Sequence, residues 1–147
     1  MISIVDRNTR EIVWARSKGV LDGQHQPQML ADGHIFLFDN GTMRGPVVRK
    51  FDPHDPDTAV WEYRDPETCF SPFRGGQQLL SNGNTLICES DCGRIFGITR
   101  TGHVVCDYYS PFFGGQLLNV CRAARYAPEV VEPLLDEAIL GHSRERQ

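Results

Sequence analysis

An imidazole that is neutral near pH 7 is a nucleophile and a proton carrier, and a guanidinium is a planar donor matched to anionic oxygens. The five histidines and the loop arginines are therefore the first places to look for chemistry. His25 stands between Gly23 and Pro27 at a strand entrance, where it faces an open channel or hydrogen-bonds a neighbouring loop carbonyl. Arg44, in Gly41-Thr42-Met43-Arg44-Gly45-Pro46, is flanked by turn formers and belongs in a loop, solvated unless a ligand engages it. Asp39 and Asn40 precede Gly41, so they shape the turn by Asx hydrogen bonds or touch a ligand. His34 and His103 each follow a turn glycine and read as turn-edge residues. His54, in Asp52-Pro53-His54-Asp55-Pro56, occupies an exposed loop without the acidic spacing of a calcium loop, and His142 lies in the tail. Cys88 and Cys92, with Cys69 and His103, lack the spacing of a zinc knuckle; no metal and no cofactor is expected.

The elements that must position these residues repeat along the chain. Leu30-Ala31-Asp32-Gly33-His34-Ile35-Phe36-Leu37-Phe38-Asp39 aligns with Leu80-Ser81-Asn82-Gly83-Asn84-Thr85-Leu86-Ile87-Cys88-Glu89 at an offset of 50. Each is an apolar residue, an Asp-Gly or Asn-Gly turn, and an apolar strand ending in an acid. A second pattern occurs three times, placing Trp14, Trp61 and Cys106 at one repeat position, 47 and 45 residues apart. Each unit reads as two hairpins, four strands in all, the last carrying Trp61-Glu62-Tyr63 or Cys106-Asp107-Tyr108. Four-stranded units at this period are the signature of β-propeller blades; a β-sandwich is the alternative. The expected fold is all-β: a partial β-propeller of four-stranded antiparallel blades over 1–126, about three blades, then a tail over 127–147 with a short helix near 129–140. By repeat position Arg94, in Gly93-Arg94-Ile95-Phe96, faces the same part of the ring as Arg44, a second candidate anion contact. Three blades fall short of the roughly four to eight that close a ring. The expected partner is a second copy or the remainder of a longer propeller.

Composition removes several function classes. The 147 residues carry 15 Lys+Arg against 19 Asp+Glu, a formal charge of −4, with 40% hydrophobic residues. That describes one soluble globular domain with no electrostatic footprint for nucleic acid. No apolar run is long enough to span a membrane, and Asp6, Arg7, Arg10, Glu11 and Arg16 interrupt the region where a signal peptide needs an apolar core. As written the chain reads as cytoplasmic, its native compartment unknown. The five cysteines, from Cys69 to Cys121, are not expected to form a disulfide scaffold; Cys88 and Cys106 are expected as buried thiols, Cys69 and Cys92 as loop thiols.

At Gln24-His25-Gln26-Pro27-Gln28-Met29-Leu30, followed by Asp32-Gly33-His34-Ile35-Phe36-Leu37-Phe38-Asp39-Asn40-Gly41, the sequence resembles the arylsulfotransferase-like β-propeller family. The unit Leu80 to Glu89 with Gly93-Arg94-Ile95-Phe96 looks like that family's later blades, and the resemblance covers about residues 2–126. It implies a six-bladed propeller with its active site at the channel mouth, moving a sulfuryl group between phenols through a sulfohistidine. An imidazole nucleophile suits such a two-step transfer, and a guanidinium can hold two sulfate oxygens. His25 and Arg44 match the family's sulfate-binding set and are the implied catalytic pair; Asn40 and Arg94 are candidate substrate contacts. The matching nucleophile belongs in the stretch Glu89 to Arg94, which holds no histidine. Two functions follow as expectations: an aryl-sulfate sulfotransferase, incomplete in this chain, binding aryl sulfates or phenols, or a non-catalytic propeller serving as a binding and assembly scaffold.

Overall fold

Three tight turns built alike set the register of the molecule. In each, a glycine N–H donates back across the turn: Gly33 to Leu30 O at 3.0 Å, Gly83 to Leu80 O at 2.9 Å, and Gly102 to Thr99 O at 3.0 Å. The glycines sit at φ near +85°, +82° and +85°, a left-handed conformation that a side chain disfavours. Asp32 Oδ1 and Asn82 Oδ1 accept the N–H of His34 and Asn84, which fixes the turn entries by Asx bonding. His34 and His103 are turn-edge residues, as expected; His103 N–H donates to Thr99 Oγ1 at 3.1 Å.

The computed structural model describes residues 1–16, 19, 21–41, 45–65, 71, 73–111 and 120–135. Among the described residues ten strands run around the turns: β1 (Ile2–Val5), β2 (Ile12–Arg16), β3 (Gln24–Met29), β4 (Ile35–Asp39), β5 (Val47–Asp52), β6 (Asp55–Tyr63), β7 (Gly76–Leu79), β8 (Thr85–Glu89), β9 (Arg94–Ile98) and β10 (Val104–Tyr109). They form three antiparallel sheets: β1-β2, β3-β4-β5-β6 and β7-β8-β9-β10. A 3₁₀ turn (Ser90–Cys92) links β8 to β9. A helix, α1, spans 128–135; the rest of the expected 129–140 helix lies outside the described residues.

Register bears out the repeat at the level of side-chain rows. Phe36 pairs with Lys50 and Lys50 with Trp61; Leu86 pairs with Gly97 and Gly97 with Cys106; Ile4 pairs with Trp14. Trp14, Trp61 and Cys106 thus end equivalent rows, and 35–39 and 85–89 are second strands of separate sheets. Because side chains alternate across a strand, each four-stranded sheet has two working faces. In the middle sheet Ile35, Leu37 and Phe51 pack on Ile2 and Trp14 of the first and on Leu21, which lies between β2 and β3. Phe36, Phe38 and Val48 pack on Ile87, Phe96 and Ile98 of the third. Burial on both faces is why β4 reads as a continuous apolar run. Each fully buried phenylalanine contributes roughly 1.5–3 kcal/mol of transfer free energy.

The sheets are joined by two bonds of the same kind. Trp14 Nε1 donates to Pro53 O at 3.0 Å, and Trp61 Nε1 donates to Arg100 O at 2.9 Å; each spans 39 residues and links the last strand of one sheet to the β-turn of the next. Close approach of the inner strands requires glycine. A Cβ on Gly75 would lie 2.5 Å from the Phe38 ring. The Gln77 carboxamide crosses the same junction, donating to Gln26 O at 2.8 Å and Phe36 O at 3.2 Å.

Among the described residues no sheet follows the third, and the cysteines differ accordingly. Cys88 is buried as expected, its Sγ 3.2 Å from Val120 O. Cys106, expected to be buried, is exposed; among the described residues no sheet packs on the end of its row. Cys92, expected as a loop thiol, is disulfide-bonded; Cys69 lies outside the described residues. The segment 120–126 runs over the inner part of this sheet: Arg125 N–H donates to Gln78 Oε1 at 2.7 Å, and Gln78 Nε2 to Arg125 O at 3.0 Å.

Candidate functional site

The first strands of the middle and third sheets, β3 and β7, lie side by side, and His25 is on β3 opposite Phe38. Its side chain is half-buried. The ladder is interrupted between His25 and Gln28, and Gln26 adopts φ 50°, uncommon for a residue with a side chain. Pro27 explains the interruption, since it brings no N–H to the ladder. The bulge frees the Gln26 carbonyl for Gln77, so His25 is held by a rigid inter-sheet junction.

Asn40 is wholly buried. Its Nδ2 donates to the carbonyls of Ser71 and Arg74, the latter at 2.8 Å, while its backbone N–H donates to Gly23 O. Ser71 Oγ shares its proton between Arg74 O at 2.6 Å and Asp91 Oδ2 at 3.0 Å, and it accepts from Asp91 N–H. Asn40 therefore ties Ser71 and Arg74 to the middle sheet, and its side chain makes neither the expected Asx bond at the turn nor an open surface for a substrate. Asp39 is buried beside it, accepting from Asp22 N–H at 2.8 Å; burial raises its carboxyl above the usual range despite that bond. Arg44 lies outside the described residues. Its flanks are drawn together, Gly45 N–H donating to Gly41 O at 2.7 Å.

Arg94 is 5% exposed and surrounded by carboxylates. Nε and Nη2 form a two-pronged pair with Asp107 at 2.9 and 2.8 Å, and Nη1 lies 3.5 Å from Glu89 and 3.6 Å from Asp65. The guanidinium also covers the Phe96 ring at 4.0 Å. Its hydrogen bonds to Asp107 raise it well above its ordinary value against the opposing effect of burial, and in return they lower Asp107. An incoming sulfate would have to displace a carboxylate from every approach, so this geometry is a structural ion-pair network, not an open anion cradle. Tyr63 belongs to the same cluster, its hydroxyl 3.3 Å from Asp65 Oδ2; burial, then Asp65, push it up to about 12.

The repeat carries this network too. Arg49 pairs with Glu62 at 2.8 Å in the middle sheet as Arg94 pairs with Asp107 in the third. The acid that follows Trp61 or Cys106 is thus the partner of a third-strand arginine. The signal lay in the Trp-Glu-Tyr and Cys-Asp-Tyr segments, but sequence reading took them only as strand markers.

Of the four candidate residues, the structure brings none of His25, Asn40 and Arg94 together in one open site. Among the described residues no group of three or more His, Cys, Asp or Glu could hold a metal ion. Cys92 is occupied by its disulfide and Cys88 by the Val120 carbonyl, so that pair makes no zinc site. No described helix is long and apolar enough to cross a membrane. No protein-family model matches the chain, and no curated protein matches its sequence.

Proposed function

We propose that this chain is a segment of a β-propeller, similar to those of the arylsulfotransferase-like family, and that it works as a non-catalytic binding and assembly scaffold. The observation that carries this reading is the pair of indole-to-carbonyl bonds with one 39-residue span, which joins successive sheets as blades are joined in a ring. A scaffold role follows from what the polar residues do. Asn40 and Arg94 spend their donors inside the stack, and no histidine stands between Glu89 and Arg94.

His25 favours a second reading, sulfate-ester binding, because it is half-buried on an innermost strand beside a strained bulge. In that reading Arg44 is its anion-binding partner, and the histidine and arginine are the remnant of a sulfuryl-transfer site. One assay separates the two: 4-nitrophenyl sulfate is incubated with the chain and a phenol acceptor, and phenolate release is followed. The scaffold gives no release above background. Sustained release that disappears in His25→Ala overturns it. Without turnover, calorimetry decides whether a sulfate site survives: loss of about 1.5–3 kcal/mol of binding in Arg44→Ala supports it, and no detectable heat leaves the scaffold.

A further inference from the structure

We propose that the junction between the middle and third sheets carries a ligand site of its own, a cleft that takes a small aromatic carboxylate with its ring against Trp61 and its carboxylate on Arg100. The site stands on the packing of two neighbouring sheets and holds whether or not they belong to a ring. The cleft has a volume of about 250 Å³, and it is lined by Phe36, Lys50 and Trp61 of the middle sheet and by Leu79, Thr85 and Arg100 of the third. It opens at the turn end of the sheets, where Leu79 pairs with Thr85 beside the 80–84 turn, whereas His25 stands near the other end of β3.

The repeat shows what opened it. Where the first and middle sheets meet, Ile4 pairs with Trp14, Ile35 is 4% exposed in one cluster with the indole, and Pro53 supplies the acceptor carbonyl. The same positions of the next repeat hold Lys50, Thr85 and Arg100. Threonine is shorter than isoleucine and brings a hydroxyl, and two cations stand where the first junction has an aliphatic chain and a proline ring. Val60 widens the outer rim: Lys50 pairs with Trp61 and Phe51 with Ala59, which leaves Val60 as the extra residue of a bulge, 55% exposed. At the turn, a Cβ on Gly83 would meet nothing within 4 Å.

These residues favour one ligand chemistry. The Trp61 indole is fixed, its Nε1 donating to Arg100 O at 2.9 Å and its ring 6.1 Å from that of Phe36, so it offers a preformed aromatic wall. No acidic residue lines the cleft. Lys50 Nζ is engaged by Asp32 Oδ2 at 2.6 Å, but the exposed Arg100 guanidinium has no hydrogen bond or ion pair among the described residues. A guanidinium without a counter-ion beside an aromatic wall suits a planar carboxylate, held by two parallel bonds while its ring stacks. The volume, a little below the usual range of small-molecule pockets, limits the ligand to about two fused rings.

The test is a titration of 2-naphthoate into the full chain, followed by the Trp14 and Trp61 indole N–H signals in nitrogen–proton correlation spectra and assigned with Trp14→Phe. The Trp61 signal should shift saturably and the Trp14 signal should stay in place. 2-Naphthamide, the same rings without the charge, should bind at least about tenfold more weakly, and so should 2-naphthoate to Arg100→Gln, a change at an exposed turn residue that removes one charge-assisted contact. His25→Ala should bind as the unaltered chain does. No saturable shift of Trp61 at millimolar 2-naphthoate overturns the inference. Equal affinity for the amide does so without any variant, as does undiminished binding to Arg100→Gln, because the cleft then selects rings and not an anion. Loss of binding in His25→Ala places the ligand at the other end of the strands and overturns it as well.

Discussion

Replacing Arg94 by methionine separates a structural guanidinium from an anion-binding one. The side chain is buried, makes two short bonds to Asp107, and is the cation shared by Glu89, itself 3% exposed, and Asp65. Methionine fills much of the volume but leaves those carboxylates without their common counter-ion. Breaking a buried pair from one side costs about 3–5 kcal/mol. The Asp107 part must be discounted, because that side chain is 39% exposed and solvent screens it, so the lower end, about 3 kcal/mol, is expected. Set against a total stability of about 5–15 kcal/mol for a domain, that is a large loss. Urea unfolding followed by the fluorescence of Trp14 and Trp61 measures it directly. The pH dependence adds a second readout. Asp107 is held below its unfolded value by Arg94, so its stabilising contribution is present above the ordinary aspartate pKa and fades as pH falls through the lowered one. The gap between Arg94→Met and the unaltered chain should therefore narrow on acidification below about pH 4. A variant as stable as the parent at neutral pH would refute the network, and would return Arg94 to the list of groups available for a ligand.

Trp14→Phe and Trp61→Phe each remove one inter-sheet bond and should cost about 1–2 kcal/mol in the same assay, by similar amounts; a null effect at one site alone breaks the equivalence of the two interfaces. Gly75→Ala drives a Cβ into the Phe38 ring at φ +149° and should cost about 2–3 kcal/mol by urea titration, whereas Gly83→Ala meets no neighbour and should cost less. In native-state labelling with a maleimide, Cys121 should react quickly and Cys88 only on unfolding; equal rates would contradict the cover provided by 120–126. Tyr63 should ionise only near pH 12 in spectrophotometric titration, so the stability it contributes is full below the ordinary tyrosine value and lost as pH rises through its own.

Local physics was legible in the sequence and spatial partnership was not. Gly33 and Gly83 announce their turns because left-handed backbone there needs glycine, and the Trp14, Trp61, Cys106 rows follow from the repeat, each beside a register shift in its strand pair. The exposure of Cys106 depends on whether another sheet follows the third, which its own strand cannot encode. The disulfide at Cys92 depends on which residues fold near the Ser90–Cys92 turn, and cysteine spacing is silent about that. Arg94 was read as a second candidate anion contact because its partner Asp107 is 13 residues away in sequence and one strand away in space. Asn40 was expected to shape its own turn, whereas its side chain anchors carbonyls 31 and 34 residues downstream, a partnership that local sequence does not show.

The indole that each sheet extends to the next has a bearing on how such a chain can change length over generations. Both tethers span the same number of residues, and each begins in one repeat and ends in the following one. Duplication of a whole repeat would reproduce a donor and an acceptor together and leave every tether satisfied. Loss or gain of half a repeat would strand an indole at one junction and a carbonyl at another, and would also turn a sheet face toward the wrong neighbour. Length variation in this lineage should therefore be quantised in whole repeats, with smaller insertions confined to the connections between strands that no tether fixes.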